Sequence, residues 1–134
     1  MGDKSLVVAN WKCNGGAELV HSYLKAVLEI DGAEVVVCPP VIFLTQLRPL
    51  IRQNVSLGAQ DLSGSDSGAY TGEVSGVFLK ALDCGYALIG HSERRENWGE
   101  SNQVVIEKVK SAVRNKLVPI LCVGETLEDL EAKG

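Results

Sequence analysis

Residues 87–101 read "ALIGHSERRENWGES". A short apolar run stops at Ile89 and Gly90, and an imidazole, a hydroxyl and a carboxylate follow at once in His91, Ser92 and Glu93. A continuous apolar run closed by a turn residue fits a strand buried on both faces, as in a parallel sheet. In parallel α/β folds the functional groups collect at the carboxyl ends of such strands. The stretch therefore predicts a parallel sheet with chemistry at its carboxyl edge, provided the rest of the chain keeps the same rhythm.

It does. "YALIG" (86–90) is joined by "LVVA" (6–9), "EVVVC" (34–38), "SLGA" (56–59) and "PILCVG" (119–124). Between these runs the apolar period changes to that of a helix. Val20, Tyr23, Leu24, Val27 and Leu28 form one amphipathic stripe. Val105, Val109, Ala112 and Val113 form another, with Ser101 as its N-cap. "PP" at 39–40 predicts a helix start and a helix over about 42–53, and "SGVFLKALD" (75–83) predicts a short one. The order β-α-β-α-β-α-β-α-β implies a single α/β domain over 1–134, with a parallel sheet and right-handed crossovers. Periodicity does not decide between a sheet that closes into a barrel and one that stays open and doubly wound.

One connection, "DLSGSDSGAYTGEVSG" (61–76), is too long for a simple link, and its glycines and acidic residues do not fall at EF-hand positions. It reads as a protruding contact loop. The composition, 46% hydrophobic and 22% charged, is that of a globular domain, and a net charge of −4 argues against a nucleic-acid partner. No apolar window reaches membrane-spanning length, and the first residues show no secretory signal. Cys13, Cys38, Cys84 and Cys122 lack metal or disulfide spacing and predict free thiols in a reducing cytoplasm.

The expected strand ends carry few reactive groups: Asn10, Lys12 and Cys13 after the first strand, Gln60 after the third, His91-Ser92-Glu93 after the fourth, and Glu125 after the fifth. Lys12 is a candidate electrophile or anion anchor, or else a solvated loop lysine. His91 is a core histidine, or a neutral donor to a developing oxyanion. Glu93 pairs with Arg94 or Arg95, or holds Lys12 in place. There is no nucleophile elbow, P-loop or metal spacing. The residues alone thus define a polar, cation-containing site for a small anionic substrate.

Six motifs, in order across the chain, carry a resemblance: "VVANWKCNG" (7–15), "CPP" (38–40), "GAQD" (58–61), "GAYTGEVS" (68–75), "LIGHSERRENWGES" (88–101) and "LCVGET" (121–126). Together they resemble the triosephosphate isomerase family. The resemblance implies a (β/α)₈ barrel that interconverts dihydroxyacetone phosphate and glyceraldehyde 3-phosphate in the cytoplasm, without metal or cofactor. It implies that Asn10 and Lys12 contact this small phosphorylated substrate and that Lys12 offsets its charge. His91 is then the neutral electrophile, a known feature of the family's chemistry, with Glu93 bonded near Lys12 and Ser92 supporting the same turn. The resemblance further implies that Tyr70, Thr71 and Glu73 lie on a loop that docks into a partner subunit of a homodimer, with Cys13 at that interface and Arg94 as the partner of Glu73. Cys122 is implied to be a buried structural thiol.

The match covers about the first five strands of the family's eight, in a barrel that typically runs to about 250 residues. The family's general-base glutamate, lid and phosphate-binding loops belong beyond them, and Glu125 and Glu128 match other positions. The expectation is a half-barrel that lacks turnover alone, with open edges at its first and fifth strands. Such a chain pairs with a complementary carboxyl-terminal half, or else is a non-catalytic fragment that associates with itself. A weaker alternative is a phosphate-binding remnant.

Overall fold

The computed structural model describes residues 3–27 and 30–133; Leu28, the last member of the first helical stripe, lies outside the described residues. Five strands form: β1 (Ser5–Asn10), β2 (Ala33–Cys38), β3 (Val55–Ala59), β4 (Tyr86–Ile89) and β5 (Val118–Leu121). All pair in parallel, in the order β1-β2-β3-β4-β5. A doubly wound sheet reverses its strand order at a switch point. Here each strand is added beside its predecessor, always on the same side, and the sheet curls into a half-barrel. That decides the question that periodicity left open.

Alternation along the strands separates two faces. Val35, Val37, Val55, Leu57, Ala59, Ala87 and Ile89 point to the convex side and form the main core with the helices. Val36, Cys38 and Leu88 point to the concave side, where Val8, Tyr86, Ile120 and Cys122 pack on them. Gly58 lies on that inner face, where a Cβ would approach Cys38 Sγ to 2.6 Å and Val36 Cγ1 to 2.9 Å. Only a glycine lets these neighbouring strands come so close. Packing thins toward both edges: Leu6 and Val7 on β1, and Val118 and Leu121 on β5, are all half-exposed.

The helices cover the convex side. α1 (Ala17–Ala26) buries Val20 and packs Tyr23 and Leu24 on the core. The helix expected over 42–53 is instead broken into a 3₁₀ turn (Val41–Phe43), one α-turn, α2 (Leu44–Leu47), and a second 3₁₀ turn (Arg48–Leu50). Leu44, Leu47 and Leu50 are buried at a spacing of three, which suits a tightened helix, and Pro49 supplies no backbone N–H to continue an α-helix. α3 (Gly76–Ala81) is capped by Ser75, whose Oγ accepts from Phe78 N at 3.3 Å.

Two helices, not one, fill the space before β5: α4 (Ser92–Trp98) and α5 (Asn102–Arg114). Ser101 caps α5 as the sequence predicted, its Oγ accepting from Val104 N at 3.3 Å. α4 buries no residue, so it has no apolar stripe to announce it; it is defined by its ends, His91 at the N-cap and Gly99 in the left-handed conformation after it. α6 (Leu127–Ala132) follows a capping box of Thr126 and Asp129. Among the described residues no helix is long and apolar enough to cross a membrane.

Candidate functional site

The site is assembled at the carboxyl ends of the strands. Just past β1, Trp11 is buried against Tyr23, with ring centroids 4.8 Å apart, and its backbone N–H donates to Cys38 O at 3.0 Å. That anchor fixes the turn that follows. Lys12 adopts φ 54°, a left-handed conformation that a side chain disfavours. Asn10 Oδ1 accepts from Lys12 N at 2.9 Å, and Gln60 Nε2 donates to Lys12 O at 2.8 Å and to Cys38 O at 2.9 Å. The backbone is thus held from two sides, and the side chain reaches across to α4.

There Lys12 Nζ lies 2.7 Å from Glu93 Oε1. The bond from Lys12 holds the Glu93 carboxyl below the usual carboxylate range, aided by the charge of Lys12 and the nearby His91. The alternative partners of Glu93 are engaged elsewhere. Arg94 Nε sits 3.0 Å from Asp61 Oδ2 and 2.9 Å from Glu100 Oε2, with its guanidinium 5.0 Å over the Trp98 ring. Arg95 Nε donates to Gly90 O and Nη1 to Asn102 Oδ1, both at 2.8 Å.

His91 caps α4: its Nδ1 accepts from Glu93 N at 3.2 Å. Glu93 Oε2 stands 3.7 Å from Nδ1, too far for a hydrogen bond, so the backbone amide is the partner of that nitrogen. A ring whose Nδ1 accepts carries its proton on Nε2 when neutral. The free edge of the imidazole is therefore a donor. His91, Glu93, Lys12, Asn10 and Gln60 line one cavity of about 440 Å³. Electrophilic N–H, ammonium and amide groups converge there, an arrangement able to stabilise negative charge developing on a small oxygen-rich molecule.

Cys13, Glu73 and Arg94 lie on the rim of the same cavity, whereas Tyr70 and Thr71 are exposed near the loop tip and Ser92 is exposed at the start of α4, outside it. The loop is tied down at its base. Ser63 N donates to Val74 O at 2.8 Å, and Asp66 accepts from Arg114 at 2.8 and 2.9 Å and from Asn115 at 2.8 Å. Those bonds, that from Arg114 foremost, bring the Asp66 carboxyl down to about 2. Cys122 sits one residue past β5 and is half-buried rather than buried, because β5 is an edge strand. All four cysteines are free. Among the described residues, no group of three or more histidines, cysteines or carboxylates could hold a metal ion.

Two parts of the site escaped the sequence. Gln60 was legible only as a strand end, and its double donation depends on carbonyls 22 and 48 residues away. The second is an ion cluster behind the cavity. Lys108 Nζ reaches Asp61 at 2.8 and 3.0 Å and also pairs with Glu100, and Arg94 touches both carboxylates. Burial pushes the Asp61 carboxyl up, while Lys108 and then Arg94 oppose it. The cluster joins the base of the long loop to α4 and α5.

A curled parallel half-barrel with a cation, an imidazole and a carboxylate at its strand ends defines a β/α-barrel protein with a polar, cation-bearing cavity at its carboxyl edge. Comparison with known proteins narrows this. The family model described as triosephosphate isomerase matches residues 5–134. The triosephosphate isomerases of Shewanella oneidensis and Shewanella baltica are each 47% identical to the chain over 141 residues, covering 97% of it and 54% of themselves. The crystal structure of triosephosphate isomerase from Bartonella henselae superposes with a TM-score of 0.88 at 34% identity, over 98% of this chain and 56% of that one. The chain belongs to the triosephosphate isomerase family. It spans about half the length of the curated relatives it matches.

Proposed function

We propose that this chain carries the amino-terminal share of a triosephosphate isomerase site, one that interconverts dihydroxyacetone phosphate and glyceraldehyde 3-phosphate through an enediolate. The observation that carries the reading is the Lys12–Glu93 pair at 2.7 Å beside a cap histidine whose free nitrogen is a donor. Lys12 offsets the substrate's negative charge, His91 Nε2–H polarises the carbonyl and binds the enediolate oxygen, and Asn10 contacts the substrate while its side chain fixes Lys12. Glu93 aims the ammonium. Ser92 supports the turn.

Proton transfer between carbons needs a base, and in the family that glutamate belongs beyond the fifth strand. A positioned base is worth about 10²–10⁴-fold in rate, so these residues by themselves have no turnover in this reading. The full site forms with a complementary carboxyl-terminal half. The loop bearing Tyr70, Thr71 and Glu73 docks into a second copy near its Lys12 and Cys13, and Arg94 on the cavity rim receives Glu73. Four free thiols suit a cytoplasmic setting.

Isomerisation assays on the purified 134-residue chain, alone and mixed with a polypeptide supplying the rest of a family barrel, test the reading. The expected result is no turnover alone and turnover in the mixture that Lys12→Met or His91→Gln abolishes. Activity of the chain alone, or of a mixture indifferent to both substitutions, refutes it. A second reading, a non-catalytic half-barrel that associates with itself, is favoured by the half-exposed apolar residues on both edge strands. It gains if no mixture ever turns over.

A further inference from the structure

Arg95 has no part in the site described so far and does not line its cavity. Its side chain folds back onto the end of β4 instead. Nε donates to Gly90 O at 2.8 Å, and Nη1 donates to Asn102 Oδ1 at 2.8 Å, at the start of α5. Gly90 has φ 69°, and a Cβ there would lie 2.9 Å from Arg95 Nη2 and 3.1 Å from Val105 Cγ2. The guanidinium is therefore packed on the Gly90 backbone as well as bonded to it. From the other side of the turn, Arg95 N donates to His91 O at 3.2 Å.

The carbonyl of Gly90 belongs to the peptide unit that joins it to His91. That unit is planar, so fixing its oxygen fixes the direction in which the chain enters His91. A left-handed glycine is otherwise the most permissive joint a chain can have. We infer that Arg95 is a positioning residue for His91: it clamps the Gly90–His91 peptide to α5 and so holds the imidazole at the N-cap of α4. The inference rests on reading His91 as the site's electrophile. Arginine suits the task because its rigid fork can bond two acceptors at once, a carbonyl and an amide oxygen, where lysine offers one nitrogen.

The Glu93 amide reports on the ring directly. It lies in the first turn of α4, where no intrahelical acceptor exists, and its acceptor is His91 Nδ1. Hydrogen exchange at Glu93 can be compared with exchange at Phe78, an amide held by the Ser75 cap of α3, which Arg95 does not touch. Arg95→Met should speed exchange at Glu93 relative to Phe78 by roughly five- to tenfold, and Arg95→Lys and Asn102→Ala by less. In nitrogen-15 spectra the ring of His91 should move from a single Nε2-protonated tautomer toward a mixture of the two neutral tautomers.

If Arg95→Met accelerates both amides equally, or neither, Arg95 adds stability without placing the ring and the inference is overturned. Should Arg95→Met fail to fold, Asn102→Ala decides the matter, and an unchanged ratio of the two rates overturns it equally. Neither readout involves turnover. The catalytic reading of His91 fails separately, in the complemented assay with His91→Gln.

Discussion

At Lys12 the left-handed backbone costs about 1–3 kcal/mol for a residue with a side chain. It persists because Asn10 and Gln60 grip both ends of the residue and Glu93 holds its ammonium. Removing that ammonium has a signed consequence. The Glu93 carboxyl is depressed by Lys12, so the pair stabilises the fold above the ordinary carboxylate range and is lost as pH falls through the depressed value. Lys12→Met should therefore raise the Glu93 titration midpoint toward the ordinary glutamate range, which carbon-13 carboxyl shifts will read. A midpoint unmoved by the substitution means that the ammonium does not rest on Glu93 in solution. Lys12, His91 and Glu93 were legible in the sequence because strand ends could be read from apolar runs. The cluster of Asp61, Arg94, Glu100 and Lys108 was not, since mixed charges along a chain look the same whether solvated or joined.

At the scale of elements, the long loop between β3 and α3 is anchored by buried Leu62 and by a few polar ties. Asp66 is the chief of these, gripped by Arg114 and Asn115 on the last turn of α5 and just past it. Its depressed carboxyl, at about 2, contributes stability that is whole above the ordinary aspartate range and lost on acidification toward that value. Between about pH 4 and pH 2, amide exchange in residues 63–75 should accelerate before that of α5, and Asp66→Asn should remove the pH dependence while speeding exchange at neutral pH. Simultaneous loss in loop and helix would contradict this. Elements with an apolar stripe, such as α5, declared themselves in the sequence. α4 did not, because capping and polar ties hold it rather than burial. The 41–50 segment was legible as helical but not as 3₁₀, because the tightening follows from how three leucines meet the sheet.

At the largest scale, the described residues form a curled sheet with β1 and β5 as its outermost strands and half-exposed apolar side chains on both. Exposed edges with such side chains recruit further strands, and lysine on an edge discourages it. Sedimentation velocity on the 134-residue chain should show concentration-dependent association that Val7→Lys and Val118→Lys together reduce; a monodisperse monomer at every concentration would show that the edges are already satisfied. Five parallel strands could be read from the runs alone, but their order could not, because it depends on which side of the sheet each crossover lands. That order has a temporal meaning as well. Each new strand pairs with the one made just before it. A chain leaving the ribosome at about 5–20 residues per second can lay down one βα unit after another, with no interior strand left waiting for a distant partner. The strand each newcomer joins is then the one just completed, so the order of synthesis matches the order of strands across the sheet.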